Sequence, residues 1–225
     1  MKILIDDANP ERIRELAERF PVAGVTTNPT ILARAGGAPF DTLRAIRAFL
    51  GPEKELHVQT VAADRAGMIR DAERIVSELG EGTFVKIPCV PEGFAAMQAL
   101  CRRGFFVTGT AVYSPMQALL AANCGARCVA PYVNRMDNMG YDGTVTVGTI
   151  QRIFDAQGIK TRVLAASFKN TQQVLALAAL GVASATLSPD VLENSVRSAA
   201  IDAAVADFTR DFEALCGAGR TMADC

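Results

Sequence analysis

The sequence has no tryptophan and a single histidine, His57, and none of its six cysteines forms a Cys-x-x-Cys pair. One imidazole and scattered thiols at Cys89, Cys101, Cys124, Cys128, Cys216 and Cys225 do not make a structural zinc site, and no metal or other cofactor is expected. In a reducing compartment such thiols are small buried apolar residues, with the terminal Cys225 an exposed one. No basic run is present and the formal net charge is −1, which argues against nucleic acid as a partner and for a small molecule. The alanine-rich segments are broken by Arg, Asp, Gln and Gly, so none approaches the roughly 20 apolar residues that cross a bilayer. No charged and apolar leader precedes Ile3-Leu4-Ile5-Asp6, and a cytoplasmic protein is expected. A Gly-x-Gly-x-x-Gly turn after the first strand and a phosphate-loop lysine motif are also missing, which counts against an open nucleotide-binding sheet.

What is present is alternation. Half of the 225 residues are hydrophobic, enough for a substantial core. Short β-branched runs begin near Lys2, Ala23, Leu56, Thr83, Phe105, Arg127, Arg162 and Ser184, at intervals from 21 residues (Lys2 to Ala23) to 35 (Arg127 to Arg162). That is the pitch of a strand plus a helix, too long for hairpins. Helical periodicity follows each run, over Pro10–Arg19, Phe40–Leu50, Asp64–Leu79, Glu92–Arg103, Pro115–Cys124, Thr146–Gln157, Thr171–Leu180 and Pro189–Val196. A further helix, about 199–216, closes the chain. Eight such units predict an α/β fold, one (β/α)8 TIM barrel over residues 1–225. The segment Asn134 to Gly143, rich in Asn, Asp and Gly, reads as an irregular loop after the sixth strand.

In a barrel the carboxyl ends of the strands face the site. Those ends carry Asp6, Thr26-Thr27-Asn28, Gln59, Lys86, Thr110, Tyr132 with Arg135, Ser167 with Lys169, and Ser188, all but the last in one polar ring. Lys86 sits in Phe84-Val85-Lys86-Ile87-Pro88, apolar on both faces, where an ammonium loses hydration and its pKa falls. On that stretch alone, a lysine snorkelling from a strand end fits as well as a nucleophile. Asp6, with Leu4 on its face, could relay protons or hold a substrate hydroxyl. Asn28-Pro29 is by itself a turn signal. Arg135, Ser167 and Lys169 offer a donor fork, a hydroxyl and a point charge to a phosphate. His57 reads as a packed core residue with no role.

The segments Val25-Thr26-Thr27-Asn28-Pro29-Thr30, Phe84 to Pro88, Gly109-Thr110-Ala111-Val112-Tyr113, Ala130 to Arg135 and Ala165-Ala166-Ser167-Phe168-Lys169 closely resemble the small transaldolase family, and within it the aldolase branch. The resemblance covers Leu4 to about Arg220. It implies that Lys86 is the Schiff-base lysine, that Asp6 and Asn28 contact donor hydroxyls with Thr26 as a neighbouring substrate-binding group, and that Gln59, Thr110 and Tyr132 hold a catalytic water. Arg135, Ser167 and Lys169 would take the acceptor's phosphate. Gln59 and Tyr132 stand where transaldolases carry Glu and Phe, and Ala130 also fits the aldolase branch. Thr108 departs from it, since an apolar residue is usual there. The implied reaction is reversible cleavage of fructose 6-phosphate to dihydroxyacetone and glyceraldehyde 3-phosphate, without metal. Transfer of a dihydroxyacetone unit between sugar phosphates is the alternative, and a metal-free sugar-phosphate isomerase or epimerase the alternative of another class. Sugar phosphates and hydroxyketones are the expected small-molecule partners. The resemblance also implies a homo-oligomer, a pentamer or a decamer of stacked pentamers, with the last helix on a neighbour.

Overall fold

The structure, a computed structural model, describes residues Met1 to Cys225. Eight strands, β1 (Lys2–Asp6), β2 (Gly24–Thr26), β3 (Glu55–Gln59), β4 (Phe84–Pro88), β5 (Phe106–Val112), β6 (Cys128–Pro131), β7 (Arg162–Ala165) and β8 (Ser184–Leu187), pair in sequence order. All are parallel, and β8 returns to β1 to close the barrel. Each strand starts within a residue of the predicted position. Alternation along the strands divides the apolar residues into two layers. Leu4, Phe84, Cys128 and Leu164 point inward and pack together at the lower end of the barrel. Ile5, Val25, Val85, Val107, Val129, Val163 and Ala185 point outward into a core shared with the helices.

The helices are α1 (Pro10–Arg19), α2 (Pro29–Ala35), α3 (Pro39–Leu50), α4 (Arg65–Leu79), α5 (Pro91–Arg102), α6 (Pro115–Asn123), α7 (Val133–Asn138), α8 (Gly143–Gln157), α9 (Thr171–Ala179), α10 (Pro189–Asn194) and α11 (Ala199–Cys216). Several of their starts share one local chemistry. A short polar side chain accepts from the backbone N–H three residues on, as Asn9 does from Arg12, Asp64 from Gly67, Asp142 from Val145 and Asn170 from Gln173. Such caps satisfy donors the helix cannot pair itself, and proline follows naturally at the first helical position.

Two expectations are corrected. Asn28-Pro29 is the cap and first residue of α2, with Asn28 Oδ1 accepting from Ile31 N at 3.0 Å. The segment 134–143 is mostly helical, because α7 anchors itself through buried Val133 and Met136, one turn apart, and the Asp142 cap starts α8 at Gly143 rather than Thr146. Both missed helices span two turns or fewer, too short for a periodicity to declare itself. Behind β4, Gly93 lets α5 close on the strand end: a Cβ there would lie 1.9 Å from the Pro88 carbonyl oxygen.

Candidate active site

The upper end of the barrel is polar, above the inward apolar layer of Leu4, Phe84, Cys128 and Leu164. Lys86 points inward from β4, in register with Gln59 on one side and Thr108 on the other, and its side chain is 4% exposed. Its Nζ donates to the Thr27 carbonyl at 2.9 Å. Burial lowers its pKa, with Arg135 adding to the effect and Asp6 opposing it. The amine therefore gives up its proton more easily than a surface lysine. Asp6 is shifted the other way, raised by burial against the pull of Lys86 and of the Thr26 hydroxyl. That hydroxyl donates to Asp6 Oδ1 at 2.5 Å and lies 2.7 Å from the Thr186 hydroxyl. Thr26, expected among the substrate contacts, is wholly buried and holds the carboxylate instead.

A cavity of about 170 Å³ opens above these groups, and Asp6, Asn28, Lys86, Tyr132, Arg135 and Ser167 line it. Asn28 has its carbonyl committed to the α2 cap, which leaves its amide N–H groups for the cavity. The Tyr132 hydroxyl is 2.9 Å from Thr110 Oγ1. Its ring meets Tyr113 edge-on, and the Arg135 guanidinium stands 4.6 Å over it. Two residues here have left-handed backbones without being glycine, Ala111 at φ 54° and Ser167 at φ 61°. Ala111 belongs to an irregularity in the β5–β6 pairing between Gly109 and Val112, and Ser167 lines the cavity itself. Strain of this kind, on the order of 1 kcal/mol each, persists where surroundings over-determine it and gathers at functional sites.

Three expected residues stand apart. Gln59 and Thr110 are absent from the cavity wall, Gln59 standing beside Lys86 on the next strand and Thr110 buried against the Tyr132 hydroxyl. Gln59 Oε1 is buried with no hydrogen-bond partner, costly for an acceptor unless a donor arrives with water or substrate. Lys169 is exposed and outside the cavity wall, where only its backbone N–H is engaged, by Gln173 at 2.7 Å. In its place the wall contains Thr30, Ile31 and Arg34 from α2, which sequence reasoning missed because α2 itself was read as a turn. Thr108 is fully buried, with its hydroxyl 2.9 Å from His57 Nδ1 and directed away from the cavity. The hydroxyl is thus the partner of the one core histidine. Nowhere do three or more His, Cys, Asp or Glu side chains gather in a metal-binding arrangement.

Residues 3–222 match the family model described as Transaldolase/Fructose-6-phosphate aldolase. The chain belongs to that family. Among curated relatives of the family, a protein named "Probable fructose-6-phosphate aldolase" from Streptococcus pneumoniae (strain ATCC 700669 / Spain 23F-1) is 37% identical over 213 residues, covering 94% of this chain and 96% of the relative. Two solved structures share the barrel at lower identity. One, described as "Native KDPGal structure", aligns with a TM-score of 0.58 at 12% identity over 82% of this chain and 80% of its own. The other, a cube-shaped porous cage designed by fusing symmetric oligomeric domains, gives 0.60 at 11% over 84% of this chain and 62% of its own. At such identities these two speak for the fold alone.

Proposed function

We propose that the chain is a Schiff-base aldolase that reversibly cleaves fructose 6-phosphate to dihydroxyacetone and glyceraldehyde 3-phosphate. The observation that carries this is Lys86, a buried amine of lowered pKa on the floor of a polar cavity, flanked by Asp6 and Tyr132. The neutral amine attacks the ketone carbon, the carbinolamine loses water, and the iminium accepts the electron pair of the breaking carbon–carbon bond. As that bond breaks, the neighbouring hydroxyl gives up its proton and becomes the carbonyl of glyceraldehyde 3-phosphate. The enamine left on Lys86 is protonated on carbon, and water then releases dihydroxyacetone.

Tyr132, with Thr110 behind it, is the proton carrier for these transfers, through a water that Gln59 Oε1 accepts from. An amide at residue 59 carries no charge and cannot itself act as base, which leaves the proton work to the phenol. Asp6 and the Asn28 amide hold donor hydroxyls, and Arg135 and Ser167 take the phosphate. Lys169 contributes charge from outside the cavity wall.

Borohydride reduction in the presence of dihydroxyacetone tests the assignment, because it fixes a three-carbon adduct on the reacting amine. Peptide mapping is expected to find it at Lys86, and label at Lys169 or none at all would overturn the proposal. Fructose 6-phosphate supplied alone separates aldolase from transaldolase, since only an aldolase releases glyceraldehyde 3-phosphate without an acceptor.

The last helix supports self-association. Ile201, Val205, Phe208 and Leu215 are spaced as one helical stripe, and all are exposed, Phe208 by 70%. An apolar stripe of this size marks an interaction site, and we assign it to a second copy of the chain in a pentameric or decameric ring. Light scattering on Phe208→Asp is expected to show smaller assemblies, and an unchanged mass would remove α11 from the interface. No helix is long and apolar enough to cross a membrane.

A further inference from the structure

The cavity has two guanidinium groups on opposing walls, and only one of them was foreseen. Arg34 lies in the last turn of α2, which turns Thr30, Ile31 and Arg34 toward the cavity, residues close to one helical turn apart and so on one face. Its side chain leans back toward the helix start, as helical side chains do, and so over the cavity rather than away from it. Arg34 is exposed and has no ion-pair or hydrogen-bond partner. Across the cavity, Arg135 on α7 donates only to the Tyr113 hydroxyl, at 3.4 Å. The one carboxylate in the wall, Asp6, is at the floor, held by Thr26 and beside Lys86. Two unpaired cations facing one small cavity repel each other unless an anion lies between them.

Depth decides where that anion sits. Lys86 is buried, whereas Arg34 and Arg135 are both exposed at the mouth. A substrate whose carbonyl reaches the amine therefore leaves its far end between the two arginines. We infer that Arg34 is a specificity-determining residue that closes with Arg135 on the substrate's terminal phosphate, so that the group is held from α2 and from α7 at once. The inference rests on the aldolase reading for the identity of the substrate, and on the cavity alone for the anion. Guanidinium suits the task because it offers a phosphate two parallel N–H donors, which an ammonium does not.

The test compares Arg34→Ala, Arg34→Lys, Arg135→Ala and the double alanine variant in condensation of dihydroxyacetone with glyceraldehyde 3-phosphate or with unphosphorylated glyceraldehyde. Arg34→Ala is expected to lower the ratio of kcat/KM for the phosphorylated over the neutral acceptor by about tenfold, mainly through KM, with lysine restoring part of it. The double variant is expected to lose less than the product of the single losses, as two groups sharing one phosphate must. An unchanged ratio in Arg34→Ala, or losses that simply multiply, would overturn the clamp. Calorimetric titration of glyceraldehyde 3-phosphate into each protein reads the same clamp without chemistry: weaker binding to Arg34→Ala supports it and equal binding refutes it. Missing borohydride label at Lys86 would instead overturn the aldolase reading and leave the titration to decide on Arg34. Because Arg34 makes no contact that holds the fold, its variants are expected to melt with the parent protein.

Discussion

The two mouths of the barrel hold similar residue types in opposite states. At the lower mouth Glu55 receives both Arg162 Nη groups, at 2.9 and 2.5 Å, and lies 3.1 Å from His57 Nε2 and 3.7 Å from Lys2 Nζ. The imidazole also meets the Thr108 hydroxyl and stacks on Phe84 with ring centres 4.4 Å apart. A cleft of about 730 Å³ opens beside this cluster. Its cations are largely committed, Arg162 to Glu55 and Arg127 to the Phe106 ring, and burial raises the pKa of its one thiol, Cys128. At the upper mouth the cavity is far smaller, yet Lys86 finds only a main-chain carbonyl and two arginines find no carboxylate. Satisfied charge holds a structure together, and charge left unsatisfied is available to a ligand. Cavity size alone would have pointed to the wrong end.

Substitutions at the two mouths should therefore separate activity from stability. Lys86→Met is expected to abolish cleavage by roughly 10⁴-fold or more, since no second amine lines the cavity, and steady-state assays with mass mapping of the borohydride adduct check it. Asp6→Asn is expected to cost about 10²-fold in kcat. It also removes the group that keeps Lys86 protonated, so the rising limb of the pH–rate profile should move to lower pH. In the parent protein that limb is expected below the ordinary lysine value of 10.5, because burial lowers the Lys86 pKa, and a limb that moves upward in Asp6→Asn would contradict the electrostatic account. Tyr132→Phe is expected to slow cleavage by at least about tenfold while the adduct at Lys86 still forms. Full activity in that variant would assign the proton transfers elsewhere.

The smallest effect on activity is expected at the lower mouth. Glu55→Gln strips a partner from Arg162 and His57 and should cost on the order of 2 kcal/mol of stability, with the Lys86 adduct intact. The pH dependence of unfolding carries the same signature. Burial alone would raise the Glu55 pKa, but the bonds from His57 and Arg162 bring it down to about 2 from 4.5. Its stabilisation is complete above 4.5 and is lost as the pH falls toward 2. Burial also lowers His57, to about 4 from 6.5, against the pull of Glu55. The unfolded chain therefore takes up a proton first, and stability falls between 6.5 and 4. Denaturant melts at stepped pH should show a decline beginning near 6.5. In Glu55→Gln the part from His57 should persist, because the carboxylate that opposed the lowering of its pKa is gone, while the part below 4.5 that belongs to Glu55 should disappear.

The barrel was legible because each strand alternates between two apolar layers and each helix repeats its period for several turns. Lys86 and Asp6 were legible for the complementary reason, as charges set into strands that are otherwise apolar. The role of Thr26 was not, since a buried hydroxyl bonded to a carboxylate looks in sequence like any polar strand end. Arg34 escaped with α2, whose seven residues begin with a dipeptide that turns and caps share. Lys169 appeared to belong by its nearness to Ser167, but the left-handed step at Ser167 redirects the chain before the lysine. Local sequence does not announce such a step in a residue other than glycine.

The contact from Lys86 Nζ to the Thr27 carbonyl is made by main chain, and the Thr27 N–H is itself tied to the His57 carbonyl at 2.9 Å. Every amino acid supplies that oxygen, so exchanging the side chain at residue 27 leaves the aim of the nucleophile unaltered. Evolution, or an engineer recasting the walls for new aldehydes, can redraw specificity while inheriting a lone pair already pointed at its target.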